Sequence, residues 1–215
     1  PLFSIKDVGK KGKLGIWYIT ESLDELLEMK RVSDKDLSVL NSFSYERRKK
    51  EWLVARILAE DIIEEKGVQI IYDEHNKPFL ENSKQQISLS HSHNLIAVII
   101  DDNETGIDVE LIKPNILRIK EKFMRATELN SLPKENQDEQ LTVFWCAKES
   151  LYKLYGKKEL AFKKNLIIEP FQYTEKGTIK GWIKNSSANK SFALRYEKLN
   201  FGNNNYMLVY VINQD

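Results

Sequence analysis

The sequence predicts an α+β fold of two similar subdomains related by a pseudo-twofold axis, each a small, mostly antiparallel sheet packed against a long helix. Runs of β-branched and aromatic residues alternate with segments of helical apolar spacing. The order of strand, helix, long helix and further strands occurs twice along the chain. A polar break at 101–104 separates the two occurrences. We therefore predict subdomains at 1–102 and 103–215.

The first half contains a predicted strand over 14–20, rich in β-branched and aromatic residues. Ser22 and Glu25 have the spacing of a capping box and predict a short helix after them. Apolar residues at helical spacing predict a long amphipathic helix over 44–66, with Gly67 as its C-terminal cap. Further strands are predicted over 68–72, 87–90 and 95–100, with a turn at 73–78.

The second half repeats this order after the polar break. A strand is predicted over 105–111, a helix over 116–123 and a longer helix over 138–155. Loops rich in Gly, Asn, Ser and Lys then separate the last three predicted strands, which are 178–184, 191–197 and 206–212. Because no flexible linker joins the halves, we expect them to pack directly on each other.

Composition and charge exclude several classes of protein. The 33 basic and 32 acidic residues give a net charge of +1, so we expect no nucleic-acid partner. The longest apolar run, 95–100, is far shorter than the roughly 20 residues of a membrane helix. Cys146 is the only cysteine, which excludes an internal disulfide and fits a reducing compartment. Without a signal-like apolar segment at the start, a cytoplasmic location is expected.

A pair of acidic residues occupies one face of the predicted strand 105–111. Strict alternation puts Ile107 and Val109 on one face and Asp108 and Glu110 on the other. Side chains two residues apart start about 7 Å from each other along a strand, close enough to converge on one hard cation. The alternative is an edge strand with a solvated polar face.

The predicted helix 138–155 carries a second group of charged residues. Glu149 and Lys153, four residues apart, share a face beside the apolar stripe. An ordinary helix-stabilising ion pair is the alternative interpretation. Lys148 falls in the middle of the apolar stripe, so we expect it to meet a carboxylate or extend to solvent, because an unpaired buried charge is very costly.

A histidine and serine cluster follows the predicted strand 87–90. Ser90 and His91 at a strand end suit a phosphate ligand, and a hydrogen-bonded turn is the alternative. A hydrolase is disfavoured because no nucleophile-elbow motif is present, and His91 with His93 lacks further metal ligands nearby. The start of the long helix carries basic residues that suit either solvent or an anionic cofactor: Arg47, Arg48, Lys50 and Arg56.

Taken in order, five blocks of the sequence resemble the 4'-phosphopantetheinyl transferases of the larger, surfactin-synthetase-activating type. The blocks are Asn76-Lys77-Pro78, ISLSHS at 87–92, GIDVE at 106–110, FMRATEL at 123–129 and WCAKESLYKLYG at 145–156. The resemblance covers about residues 44–170. Asn76 replaces the glycine that is usual before Lys-Pro, and Val109 replaces a common isoleucine.

The resemblance implies transfer of the phosphopantetheine arm of coenzyme A to a serine of an apo acyl or peptidyl carrier protein, releasing adenosine 3',5'-bisphosphate. It implies Mg²⁺ bound by Asp108, Glu110 and Glu149. Lys153 would hold the same phosphates or protonate the departing one. The larger type contains two half-sites in one chain, so a monomer is expected. The alternatives are a non-catalytic module that binds coenzyme A or a carrier protein, and a Mg²⁺-dependent phosphohydrolase.

The resemblance also implies roles for residues of the first half and for one further acid. Ser90 and His91 would hold a phosphate on the adenosine side, and Lys77 and Pro78 would contact the nucleotide. The candidates for the 3'-phosphate of coenzyme A are Arg47, Arg48, Lys50 and Arg56. Glu128 aligns with the family's candidate for the base that activates the serine, Glu149 is the other candidate, and the sequence does not decide between them.

Overall fold

The protein consists of antiparallel sheets with helices packed against them. The structure is a computed structural model, and it describes residues 2–30, 32–135, 137–157, 159–186 and 189–214. In chain order the elements are β1 (Leu2–Val8), β2 (Gly12–Tyr18), α1 (Leu23–Met29), α2 (Asp34–Ser42), α3 (Glu46–Ile63), β3 (Ile70–Tyr72), β4 (Pro78–Leu80), β5 (Gln86–Ser92), β6 (Leu95–Asp101), β7 (Thr105–Leu111), a 3₁₀ helix (Pro114–Arg118), α4 (Lys120–Phe123), α5 (Ala126–Leu129), α6 (Gln137–Tyr155), α7 (Phe162–Asn165), β8 (Leu166–Ile168), β9 (Lys176–Lys184), β10 (Asn189–Phe201) and β11 (Asn204–Ile212).

Two larger sheets each carry one long helix. The first sheet has the strand order β1-β2-β6-β5 and packs against α3, and the second has the order β7-β11-β10-β9-β8 and packs against α6. The pairings between described strands are antiparallel. The predicted α+β class with antiparallel sheets is therefore confirmed. Within the described residues, no helix combines the length and apolar composition required to cross a membrane.

Three apolar clusters hold these layers together. One lies between α3 and the first sheet, and another lies between α6 and the second sheet. The third joins the two sheets face to face, and it includes Ile107 and Val109 of β7 opposite Leu14 and Ile99. The predicted apolar face of β7 is thus buried between the sheets, which leaves Asp108 and Glu110 on the side of α6.

The predicted C-terminal cap of the long helix was wrong. Glu64, and not Gly67, adopts the left-handed conformation that ends α3, with a φ of 64°. The side chain of Glu60 explains the difference, because it is buried, pairs with Lys30 and accepts the N–H of Gly67 at 2.9 Å. Gly67 is therefore bound to the buried acid after the helix has already ended.

Other expectations for the first half had mixed outcomes. The capping box of Ser22 and Glu25 starts α1 as predicted. Strand β1 and helix α2 were not predicted. Helix α2 has its own capping box, formed by Ser33 and Asp36, whose spacing in the sequence was an available signal.

Close backbone packing at Gly106 sets the distance between β7 and α6. A Cβ atom at Gly106 would lie 2.0 Å from the carbonyl oxygen of Ser150 and 2.9 Å from the backbone nitrogen of Leu154. Glycine is required here because the helix backbone itself occupies the space of a side chain. The contact brings Glu149 and Lys153 of α6 beside the acidic face of β7.

Replacing Gly106 with alanine is expected to lower the free energy of unfolding by about 1–3 kcal/mol, because the helix must move away from the strand. Urea unfolding of the variant measures this effect. Gly202→Ala shows the cost of a positive φ without a steric clash, since a Cβ atom there would meet nothing in the described part of the chain within 4 Å and only its φ of +57° opposes the change. A Gly106 variant as stable as the wild type would contradict the close-packing account.

Candidate active site

A cavity of about 370 Å³ lies where the two halves of the chain meet, and it collects most of the predicted site residues. From the first half it is lined by Arg48, Arg56, Ser90 and His91. From the second half it is lined by Asp108, Glu110, Glu149 and Lys153. Tertiary packing therefore brings basic residues of α3 to the same cavity as the carboxylates of β7 and α6.

Three alternating serines of β5 connect the two sheets beside this cavity, which Ser90 lines, and we refer to Ser88, Ser90 and Ser92 as the serine ladder. Strand β7 lies at the edge of its sheet, so one row of its N–H groups has no strand partner among the described residues. The ladder hydroxyls accept these N–H groups: Ser88 from Ile107 at 3.1 Å, Ser90 from Val109 at 3.2 Å and Ser92 from Leu111 at 3.0 Å. The serine side chains thereby provide hydrogen-bond acceptors for the N–H groups along the edge of β7.

Two ladder hydroxyls also donate to the carboxylates of β7. Ser90 Oγ donates to Asp108 Oδ1 at 2.8 Å, and Ser92 Oγ donates to Glu110 Oε2 at 2.9 Å. Lys153 Nζ donates to the same Asp108 Oδ1 at 2.8 Å. Asp108 Oδ2 is buried and has no hydrogen-bond partner in the described part of the chain. Ser90, predicted as a phosphate ligand, has its hydroxyl engaged with Asp108 and Val109.

Burial and repulsion between negative charges raise the pKa values of two acids in the cavity. Burial, with the nearby charge of Asp108, raises the pKa of Glu149 to about 7. The same two causes raise the pKa of Glu110. Within the described ranges, no three Asp, Glu, His or Cys side chains are gathered into a ready-made metal cage. The unpartnered oxygen of Asp108 and the repulsion among the acids nevertheless fit a hard cation with oxygen ligands.

The basic side of the cavity is organised by an acid that was not predicted from the sequence. Glu51, which is 5% exposed, accepts from Arg48 Nη1 at 3.1 Å and from Arg47 Nε at 2.9 Å. Its Oε2 lies 3.5 Å from His91 Nδ1, and Arg48 Nη1 lies 2.7 Å from His91 Nε2. Because guanidinium can only donate, His91 Nε2 is the acceptor. The sequence did contain a signal for this contact, because Glu51 follows Arg48 by three residues and Arg47 by four on one predicted helix.

His91 and Arg56 have pKa values lowered by burial. For His91 the charge of Glu51 opposes this effect, and for Arg56 the pKa falls to about 10, which leaves it cationic at neutral pH. The Arg56 guanidinium lies 3.5 Å from the ring centroid of Trp52 and donates to the Ile70 carbonyl at 3.1 Å. Its Nε is buried and has no hydrogen-bond partner among the residues described. Such a cation is suited to an anionic ligand.

A second cavity, of about 170 Å³, adjoins the first and is lined by Lys77 and Pro78. The two cavities share Lys153 and Tyr72 in their walls. Lys77 Nζ donates to the carbonyl of Leu154 at 3.1 Å, which ties the turn to the end of α6. Asn76 has a φ of 64°, a conformation that asparagine tolerates, which explains how it can stand where glycine is usual.

Two of the four predicted basic ligands do not line either cavity. Arg47 is directed to Glu51, and Lys50 pairs with Glu46 at 3.0 Å on the same helix. Residues 47 and 50 lie on a different side of α3 from residues 48 and 56. Helical geometry therefore divides the basic cluster, with Arg48 and Arg56 at the cavity.

Glu128 is not positioned as the predicted general base. It is 0% exposed, and its carboxylate accepts from Lys148 Nζ at 2.8 Å and from the N–H of Ile168 at 2.9 Å. A base must reach the hydroxyl that it activates, and Glu128 does not line the cavity. It lies in the core as the partner of Lys148. The expectation that Lys148 meets a carboxylate is confirmed.

Comparisons with known proteins agree on one family. The sequence profile of the 4'-phosphopantetheinyl transferase superfamily matches residues 104–211. The chain is 35% identical over 115 residues to 4'-phosphopantetheinyl transferase psf-1 of Bacillus pumilus, covering 49% of each chain. It is 32% identical over 95 residues to a 4'-phosphopantetheinyl transferase of Bacillus subtilis, covering 42% of each chain. These alignments therefore span less than half the length of the relatives.

Proposed function

The chain belongs to the 4'-phosphopantetheinyl transferase superfamily, and on this premise we propose that it transfers the phosphopantetheine arm of coenzyme A to a carrier-protein serine. The acceptor would be an apo acyl or peptidyl carrier protein, and the second product adenosine 3',5'-bisphosphate. One observation carries the proposal. A single cavity is lined by basic side chains on one side and by three carboxylates with Lys153 on the other.

The basic side of the cavity suits the phosphates of coenzyme A. We propose that Arg48, Arg56 and His91 hold the 3'-phosphate, because two permanent cations and an imidazole face the same space. The adjoining cavity at Lys77 and Pro78 would hold the nucleotide. Lys153, which is in the walls of both cavities, would contact the diphosphate between them.

We propose Mg²⁺ at Asp108, Glu110 and Glu149, where the unpartnered Asp108 oxygen and the repulsion among the acids support a hard cation. When bound, the ion would neutralise charge on the diphosphate during phosphoryl transfer. Lys153 already donates to Asp108 Oδ1 at 2.8 Å, so it would hold that carboxylate in place and supply a proton to the departing phosphate.

A serine hydroxyl is a weak nucleophile and requires a base. Glu149 is the remaining candidate, since it lines the cavity and Glu128 is enclosed in the core. The proton of the carrier serine would pass to Glu149, directly or through water, as the serine oxygen bonds to phosphorus. The bond from that phosphorus to the oxygen of the departing adenosine bisphosphate would break at the same centre.

The direct test is to incubate the protein with coenzyme A, Mg²⁺ and a panel of apo carrier proteins and to weigh the carriers by mass spectrometry. A carrier heavier by one phosphopantetheine, together with one equivalent of adenosine 3',5'-bisphosphate, is the expected result. Binding of coenzyme A with no modified carrier would instead indicate a binding module. Release of the nucleotide without a carrier would indicate a phosphohydrolase.

We further propose a pseudo-twofold relation between residues 1–102 and 103–215, a monomeric state and a cytoplasmic location. One sheet and one long helix in each half support the internal symmetry. A complete set of site residues within one chain supports the monomer. Light scattering after gel filtration tests the monomer, and a dimer would contradict it.

Arg48→Ala is expected to raise the KM for coenzyme A about 10-fold or more, because a charge-assisted hydrogen bond contributes about 1.5–3 kcal/mol. The KM for dephospho-coenzyme A, which lacks the 3'-phosphate, should change little. Lys49→Ala is the matched control, as the neighbouring basic residue does not line the cavity. An equal effect on both substrates would show that Arg48 does not bind the 3'-phosphate.

A further inference from the structure

We propose that the serine ladder has two separate functions, and that Ser90 and Ser92 are positioning residues for the cation-binding carboxylates. Ser88, which lines the adjoining cavity, would join the sheets without positioning a cation ligand. The inference rests on the proposed function, because it assigns a task to the side chains next to Asp108 and Glu110. It differs from the phosphate-binding role that sequence resemblance implies for Ser90.

The register of β5 against β7 supports the division of roles. Each ladder serine accepts one N–H of β7, so all three make the same contribution to joining the sheets. The residues of β7 that precede the three N–H donors differ, and they are Gly106, Asp108 and Glu110. Only Ser90 and Ser92 of the ladder therefore have a carboxylate beside their hydroxyl.

The hydrogen bonds explain how the carboxylates are oriented. A serine hydroxyl has one proton, and Ser90 donates it to Asp108 Oδ1, which also accepts from Lys153. Two donors on one oxygen restrict rotation of the carboxylate and leave Oδ2 as the buried oxygen without a partner in the described structure. At Glu110, the Ser92 hydroxyl donates to Oε2. Such partners commonly fix ligand geometry and affinity at metal sites.

The test compares Ser90→Ala and Ser92→Ala with Ser88→Ala as the matched control. Each change removes one acceptor for a β7 N–H, so urea unfolding should show similar losses of stability for all three. Titration with Mn²⁺, followed by the electron paramagnetic resonance signal of the free ion, measures cation affinity without coenzyme A and with saturating coenzyme A, because Ser88 lines the cavity proposed for the nucleotide. We expect affinity to fall about 10-fold or more in the Ser90 and Ser92 variants and less than about 2-fold in the Ser88 variant.

The outcomes separate the inference from the proposed function. Equal Mn²⁺ affinity in the three variants would overturn the positioning role and leave the cation site intact. A wild-type protein that binds no Mn²⁺, even with coenzyme A, would overturn both. Ser90→Thr retains the hydroxyl and should bind Mn²⁺ more tightly than Ser90→Ala does. A folded Ser90→Thr variant with the low Mn²⁺ affinity of Ser90→Ala would count against the positioning role. If Ser90→Ala does not fold, Ser92→Ala gives the same comparison at Glu110.

Discussion

Asp108→Ala and Glu149→Ala are each expected to leave a folded protein whose Mg²⁺-dependent transfer is lowered about 100-fold or more. The size follows from the several kcal/mol that a bound cation contributes to phosphoryl transfer, since each 1.36 kcal/mol is a factor of ten in rate. Both side chains line the same cavity, and one oxygen of Asp108 is buried and has no hydrogen-bond partner in the described part of the chain. Initial rates of carrier modification over a range of Mg²⁺ concentrations measure the effect.

Asp102→Ala is the matched control for these two variants. Asp102 is an exposed acid that pairs with Lys11 at 2.7 Å, away from the cavity, so its removal should leave the rate unchanged. Circular dichroism of all three variants checks that they are folded. If the Asp108 and Glu149 variants both retain full activity, the metal assignment is incorrect.

Lys148→Met is expected to lower the free energy of unfolding by about 3–5 kcal/mol, because it leaves a charged carboxylate buried without its partner. Lys148 and Glu128 are both 0% exposed and are joined at 2.8 Å. Lys148 Nζ also donates to the carbonyl of Phe123 at 2.8 Å, so α6 would lose its attachment to the segment before α5. Burial lowers the pKa of Lys148, and the charge of Glu128 opposes that shift.

A double-mutant cycle isolates the contribution of this pair. Glu128→Gln removes the buried charge and keeps the shape, so the Lys148→Met and Glu128→Gln double variant should recover part of the stability lost by Lys148→Met. Lys11→Met is the control at an exposed pair, where stability should change little because solvent screens the charges. If the losses of unfolding free energy in the two single variants add up to the loss in the double variant, Lys148 and Glu128 do not stabilise the protein as a pair.

Strong local patterns were sufficient to predict several elements of the fold. Strand β7 was predicted with both of its bounds, because alternating apolar and polar residues reflect one buried face and one polar face. Helix α6 was predicted within a residue of its start. Helix α2 was not predicted, since it is only nine residues long and offers few turns over which apolar spacing can repeat. Strand β1 is an edge strand with mainly exposed or half-buried residues, which weakens its pattern.

The candidate site was predicted in part. Asp108, Glu110 and Glu149 were named from the sequence and line one cavity. Glu128 was named from resemblance but lies in the core, and sequence alone does not show which acid a buried lysine will meet. Glu51 was overlooked because its position between Arg48 and His91 depends on packing of α3 against the first sheet, whose strand β5 carries His91.

By itself, the sequence determined the family, the antiparallel α+β class and the residue types available for phosphate and cation chemistry. Only the tertiary structure decided which of those residues share a cavity, which hydroxyls hold the carboxylates, and which acid is enclosed with Lys148. The physical reason is that local periodicity and capping act over a few residues, whereas burial and charge pairing arise between segments far apart in the chain. Asp108 and Ser90, eighteen residues apart, meet only because β5 and β7 pack side by side.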